Sequence, residues 1–380
     1  MIEFEEIRPY TDEEYPMAIQ QLANDKKFIA VIEKLYPQPG VKEAVLQKMV
    51  QMKSISDFQN EIVYPLVVKI EKGSTDGLFY KAMDQFHPEE NYLFISNHRD
   101  IILDSAFLNS VMHTHGFRKT EIAIGDNLLI YDWIKVLVRL NRSFIVKRNL
   151  GMREQLMASK ELSAYIRYAI KEKKESIWLA QREGRSKNGN DQTHPALLKM
   201  LNMSNRASII EGFRELNIVP MAISYEIEPC GIAKVEELLN KKHNPNFSKT
   251  QQDDLNSMAN GVMSPKGRVQ VAFGNPLNIR LDEITKGKKD SEIIETIADY
   301  INRRIYFNYK LWPNNYIAYD LLNNTQKYSA QYTEDQKQGF VARMEAEIAK
   351  LTFDQQESRE YYLAMYANPV VNYEKYFGNE

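Results

Sequence analysis

Cysteine is almost missing from this chain: Cys230 is the single one among 380 residues. One thiol excludes an internal disulfide and a cysteine-built structural zinc site, and it fits a reducing compartment. Net charge is almost missing too, at −2. No global basic excess marks a nucleic-acid-binding protein, so any anion site must come from a local cluster. No apolar run approaches the ~18 residues that a membrane-spanning helix needs. The opening Met1-Ile2-Glu3-Phe4-Glu5-Glu6 is acidic where a secretory signal would be basic and then apolar. The expected location is the cytoplasm, with peripheral attachment to the inner membrane face. Internal repeats and low-complexity tracts are missing as well.

What is present supports a large core, since 43% of the residues are hydrophobic and they are spread throughout. Apolar residues at three- and four-residue spacing predict helices from Glu13 to Leu35 and from Val41 to Met52, broken at Pro37-Gln38-Pro39-Gly40. Short β-type runs follow at Tyr92–Ser96, Glu121–Gly125, Ser143–Lys147, Ser176–Gln181, Ile218–Tyr225 and Arg268–Phe273. Helical patterns near 104–114, 129–141, 151–173, 195–215 and 231–240 alternate with them. That alternation predicts an α/β fold, a central mixed sheet flanked by helices. From 287 onward, Asp290 to Tyr306, Glu334 to Leu351 and Gln355 to Tyr366 again have the helical period. The expected organisation is an N-terminal helical region over 1–80, an α/β domain over 81–286 and a C-terminal helical region over 287–380. Ile130, Trp133, Ile134, Leu137 and Leu140 make an apolar stripe with Lys135, Arg139 and Arg142 nearby, suited either to a bilayer interface or to packing. The aromatic run Tyr306 to Trp312 is expected to pack inside the C-terminal region.

Chemistry concentrates in three places. Behind the apolar run Tyr92 to Ile95 stands Ser96-Asn97-His98-Arg99-Asp100-Ile101-Ile102-Leu103-Asp104, so a strand delivers His98 and two carboxylates to its carboxyl end. A histidine oriented by an aspartate is a general base. Asp104 is the expected partner of His98, while Asp100 is placed to cap the following helix. Next, Arg139 to Arg153 holds five basic residues and no acid, and Lys147 and Arg148 fall at a strand end, where arginine can grip a phosphate bidentately. Last, Arg182-Glu183-Gly184-Arg185-Ser186-Lys187-Asn188-Gly189 follows an apolar strand as a basic turn, too short for a phosphate loop of the Walker type. A metal site built from His98, Asp100, His113 and His115 is an alternative reading of the histidines.

Together with Val219-Pro220 in the strand Ile218–Tyr225, these segments resemble, in order, the four blocks of the glycerolipid acyltransferase family. Asn97-His98 with a downstream aspartate is similar to Asn-His-x4-Asp. Ser143 to Arg148 is similar to Gly-x-x-Phe-Ile-x-Arg, and Arg182-Glu183-Gly184-Arg185-Ser186 is similar to Pro-Glu-Gly-Thr-Arg-Ser. Three departures stand out: Leu103 occupies the family aspartate position one residue before Asp104, the first glycine of the second block is absent, and the third block lacks its proline and threonine. Arg99 matches the His-Arg start of the glycerol-3-phosphate branch.

The resemblance implies an acyltransferase-like fold that moves a fatty acyl group from acyl-carrier protein or acyl-CoA to a hydroxyl of a phosphate-bearing glycerolipid acceptor. That acceptor is 1-acylglycerol-3-phosphate first, with glycerol-3-phosphate or a lyso-aminolipid as alternatives. His98, Asp104 and Asp100 would be catalytic, and Arg99, Lys147, Arg148, Glu183, Gly184, Arg185, Ser186 and Lys187 would bind substrate. A membrane surface is an implied partner, and no metal, cofactor or nucleic acid is needed. A lipid-binding relative without catalysis and a thioesterase are the competing classes.

Overall fold

Side chains of a strand alternate between two faces, and here the two faces carry separate cores. In the computed structural model, which describes residues 4–378, Leu93 and Ile95 enter one apolar cluster and Tyr92 and Phe94 the other. Ile177 and Leu179 oppose Trp178 in the same way, as Ile218 and Ala222 oppose Val219, Met221 and Ile223. Helices Met152–Lys171, Pro195–Asn202 and Asp290–Phe307 contribute to the first cluster, and helix Leu103–Thr114 to the second.

The strands are β1 (Leu78–Lys81), β2 (Leu93–Ser96), β3 (Glu121–Gly125), β4 (Ser143–Val146), β5 (Ile177–Ala180), β6 (Ile218–Tyr225) and β7 (Val269–Phe273). They form one sheet in the order β1-β7-β6-β2-β5-β3-β4. The five from β6 to β4 run parallel, β7 is antiparallel to β6, and β1 pairs parallel with β7. The sheet is therefore mixed and flanked by helices, as expected. Six of its strands fall within a residue of their expected limits; β1 was not anticipated, because it is a short edge strand with Phe79 and Tyr80 exposed. Pro220 is tolerated in a central strand because it stands one residue before the β7 ladder begins at Met221, while its carbonyl still accepts from the Gly274 amide at 2.7 Å.

Both terminal regions are tied to this frame. Helices Tyr15–Asn24 and Lys26–Leu35 pack on Val136 and Leu140, with Trp133 and Leu137 alongside. The apolar stripe on helix Asp132–Leu140 is thus covered by the chain's own N-terminal helices, which corrects the bilayer-interface alternative for it. Helix Asp290–Phe307 lies against β6 and places Ile293, Ile297 and Ile301 in the main core, so packing crosses the seam expected at 286. Of the aromatic run, Trp312 is buried and Tyr306 is buried in the main core rather than in a separate C-terminal one, while Phe307 is exposed. Helices Pro313–Asn323 and Gln251–Met263 were not anticipated, and the single helix expected over 195–215 is two, Pro195–Asn202 and Ile209–Arg214.

The Phe94 ring, fully buried among Tyr92, Phe86 and Phe273 at centroid distances of 5.8, 5.9 and 5.6 Å, anchors the second core. Phe94→Ala is expected to lower unfolding free energy by about 3–5 kcal/mol, read from urea denaturation.

Candidate active site

Because β6, β2, β5, β3 and β4 are parallel, the segments that follow them emerge along one edge of the sheet. The register sets Ser96 of β2 beside Ala180 of β5 and Gly125 of β3 beside Val146 of β4. His98, Arg148 and the loop from Gln181 onward therefore leave neighbouring strands at the same level.

After Ser96 the chain turns back, and His98 Nδ1 lies 2.7 Å from Asp104 Oδ2. The same oxygen accepts the successive backbone amides of Arg99 (2.6 Å) and Asp100 (3.1 Å), a small anion nest that absorbs the extra residue between histidine and aspartate. Asp104 Oδ1 accepts the Tyr225 hydroxyl at 2.7 Å. Asp104 has no solvent exposure. Burial alone would raise its pKa, but the His98 hydrogen bond and charge, with Tyr225 and the Arg99 amide, hold it below the ordinary value. With Nδ1 bound to the carboxylate, His98 keeps Nε2 for other work, and its ring meets the edge of Trp178 at 5.4 Å.

Asp100 has a different task. Its Oδ1 accepts the amides of Ile102 and Leu103 at 2.9 and 2.8 Å and so opens helix Leu103–Thr114. Burial first, and then the Asp104 charge, push its pKa up. Its Oδ2 sits against Gly261, where a Cβ would approach to 2.1 Å, so helix Gln251–Met263 closes over it. Asp100 is therefore not the His98 partner. His113 and His115 stand at the far end of helix Leu103–Thr114, about 18 Å long, with His113 against Tyr64 and His115 on the Val111 carbonyl. The four residues of the metal alternative are not brought together.

Three residues expected at the substrate are engaged elsewhere. Arg99 is buried, its fork donating to Asp191 Oδ2 at 2.5 Å and to Glu228 Oε2 at 3.4 Å. Lys147 turns to Glu6 and Glu161 at 2.5 and 3.4 Å, and Lys187 holds Glu237 at 2.5 Å on helix Gly231–His243. Each basic side chain found a carboxylate distant in sequence.

The others converge on the site edge. Arg148 lies over Gly125, whose missing Cβ makes room for the guanidinium, and reaches the exposed Glu183 at 3.2 Å. Gly184 turns the loop at φ +70°, Ser186 donates its amide to the His98 carbonyl at 2.8 Å, and Arg185 is 9% exposed. Among the described residues, Arg185 Nη1 and Ser186 Oγ are buried without a hydrogen-bond partner, two donors beside the His98 loop. The loop is pinned from outside: a Cβ on Gly189 would come within 2.1 Å of the Met365 carbonyl, and Asn368 donates to the Asn188 carbonyl at 2.6 Å.

Sequence reasoning missed the frame beneath. Lys234 donates to the Arg99 carbonyl at 2.7 Å and to Glu228 at 2.6 Å; Tyr309 donates to Asp191 at 2.6 Å; the Glu228 amide donates to the Tyr366 hydroxyl at 2.9 Å. Burial lowers the pKa of Lys234. Tyr225 was visible only as the end of an apolar strand.

A half-buried histidine held by a fully buried carboxylate, at the carboxyl edge of parallel strands, is arranged to accept and return a proton. Residues 78–224 match the family described as Acyltransferase. That match runs from β1 to the penultimate residue of β6, so this segment is similar to an acyltransferase domain. The crystal structure of 1-acyl-sn-glycerophosphate (LPA) acyltransferase, PlsC, from Thermotoga maritima aligns over 77% of this chain and 96% of that one, at 8% identity and a TM-score of 0.36. No curated protein matches the chain in sequence.

Asp100→Asn keeps the capping oxygen and removes a disfavoured buried charge, so it is expected to change stability by no more than about 1 kcal/mol. Asp104→Asn removes the charge that four donors surround and is expected to cost about 3–5 kcal/mol, as breaking a buried charge arrangement does. Melting of the two variants at neutral pH gives the ranking.

Proposed function

We propose that the protein transfers a fatty acyl group from the thioester of acyl-carrier protein or CoA to a hydroxyl of a phosphate-bearing glycerolipid precursor, 1-acylglycerol-3-phosphate in the first place. The observation that carries the reading is the half-buried His98 held by the buried Asp104, beside Arg185 and Ser186, whose free donors suit an anionic acceptor.

His98 Nε2 takes the proton of the acceptor hydroxyl as its oxygen attacks the thioester carbonyl. Asp104 stabilises the imidazolium that results. When the tetrahedral intermediate collapses, the C–S bond breaks, the new C–O bond remains, and the thiolate recovers the proton from His98. No covalent enzyme intermediate is formed. Arg185 and Arg148 hold the acceptor phosphate, with Glu183 orienting Arg148. Arg99, Lys147 and Lys187 are left out of that role because their charges are already matched.

A radiolabelled acyl-thioester assay against 1-acylglycerol-3-phosphate, glycerol-3-phosphate and a lyso-aminolipid tests activity and acceptor together. His98→Ala is expected to lose about 10²–10⁴-fold in turnover while remaining folded. Arg185→Ala should raise the acceptor KM far more than the donor KM, with Arg185→Lys restoring only part because it lacks the bidentate fork. Normal turnover in folded His98→Ala would remove the mechanism.

The acceptor would be met at a membrane surface. Among the described residues no helix is long and apolar enough to cross a membrane. Helix Met152–Lys171, however, starts beside Arg148 with Met152, Leu156 and Met157 exposed by 93, 62 and 64%. Such side chains with Arg153 nearby suit an interfacial contact. Co-sedimentation with anionic vesicles should fall in a Met152→Ser, Leu156→Ser variant and be indifferent to His98→Ala.

A further inference from the structure

We propose that Tyr225 is a positioning residue for the His98–Asp104 pair, its hydroxyl fixing the carboxylate and taking up part of the carboxylate's charge. The proposal deepens the reading of His98 as general base and rests on it.

Tyr225 ends β6, one residue beyond the matched acyltransferase segment. β6 runs four residues past its last pairing with β2, at Met221, and this overhang carries Tyr225 across to the His98 loop. The ring is buried with Phe107 tilted against it at 6.4 Å. Its hydroxyl, 2.7 Å from Asp104 Oδ1, is the donor on that oxygen, whereas Oδ2 already serves His98 and two amides. Without the hydroxyl, Oδ1 would be a buried acceptor with no donor among the described residues. Burial and the neighbouring Asp104 carboxylate push the phenol well above its ordinary pKa, so it acts only as a donor.

The charged surroundings are the same with or without the hydroxyl. Asp100 and the Arg99 guanidinium face Asp104 from the loop, and Glu228 acts on Tyr225 from the turn after β6. Arg185 offsets the Asp100 charge, as does Lys266, whose own pKa burial pushes down to about 8; Cys230 lies near both. A change at Tyr225 that leaves these groups in place therefore reads the hydroxyl alone.

The sign follows from charge sharing. A carboxylate stabilises the imidazolium in proportion to the negative charge it turns toward the ring, and each further donor draws that charge away. Tyr225→Phe should raise the pKa of His98 by about 0.5–1 unit, a shift of the size one neighbouring hydrogen bond produces. The acid limb of kcat/KM should move up with it, and kcat should fall about tenfold as the pair loses its fixed orientation. Replacement of Tyr225 by 3-fluorotyrosine, nearly unchanged in volume but a stronger donor, should move the His98 titration down. In an Asp104→Asn background, Tyr225→Phe should no longer move it.

NMR titration of the His98 ring, its resonance assigned by its loss in His98→Ala, reads these shifts without substrate. Opposite shifts in the phenylalanine and fluorotyrosine proteins support the role. A His98 titration that stays put in both, with the fold intact, overturns it. Because this measurement needs no turnover, an inactive wild-type protein that shows the shifts would reject the acyl-transfer reading and leave the positioning role standing.

Discussion

A carboxylate removed entirely from water must be matched by donors, and the arrangement of this site follows from how Asp104 is matched. Four donors reach it: one imidazole, two consecutive amides and one phenol. The amides bend the loop after β2 back on itself, the bond to His98 keeps the proton of that ring on Nδ1, and the phenol ties the loop to β6. Removing the charge would release all three constraints together. The segment from His98 to Asp104 is thus a turn closed around an anion as much as a connection between a strand and a helix.

A second set of buried charges supports the first from below. Arg99 leaves the loop in the opposite sense to its chemistry-bearing neighbour and is clamped by Asp191 and Glu228. Lys234 caps the Arg99 carbonyl and balances Glu228. Burial works against the ionised form of each group, and only the near one-to-one pairing of opposite charges makes the cluster tolerable. Such a cluster has few alternative arrangements, which gives the loop above it a defined position.

Much of the fold was legible in the sequence because burial leaves a period. The strands with both faces covered, β2, β5 and β6, are continuous apolar runs and were read to within a residue. The exposed edge strand β1 leaves no such signature. His98 and Asp104 were legible as a pair since the chemistry dictates both residue types, even with an irregular spacing. The basic residues were not, because a sequence displays a charge without its partner. Arg99, Lys147 and Lys187 look as available as Arg148 and Arg185 until Asp191, Glu6 and Glu237 are brought beside them. The stripe on helix Asp132–Leu140 left packing and a bilayer interface open for the same reason: amphipathicity shows that a face is covered, and here the cover came from residues more than a hundred positions earlier.

The C-terminal contacts bear on how the protein is made. Every side chain given a role in the proposed reaction precedes residue 226, yet Tyr306, Tyr309, Met365, Tyr366 and Asn368 hold the loops that carry those side chains. Synthesis runs from the N-terminus, so the segment over 78–224 leaves the ribosome before its clamps exist. Until they arrive, Asp191 and Glu228 lack hydroxyl partners and the turn at Gly189 has nothing to rest against. The nascent chain carries the reactive groups from early on but acquires their arrangement only with its last helix, so competence arrives late and all at once.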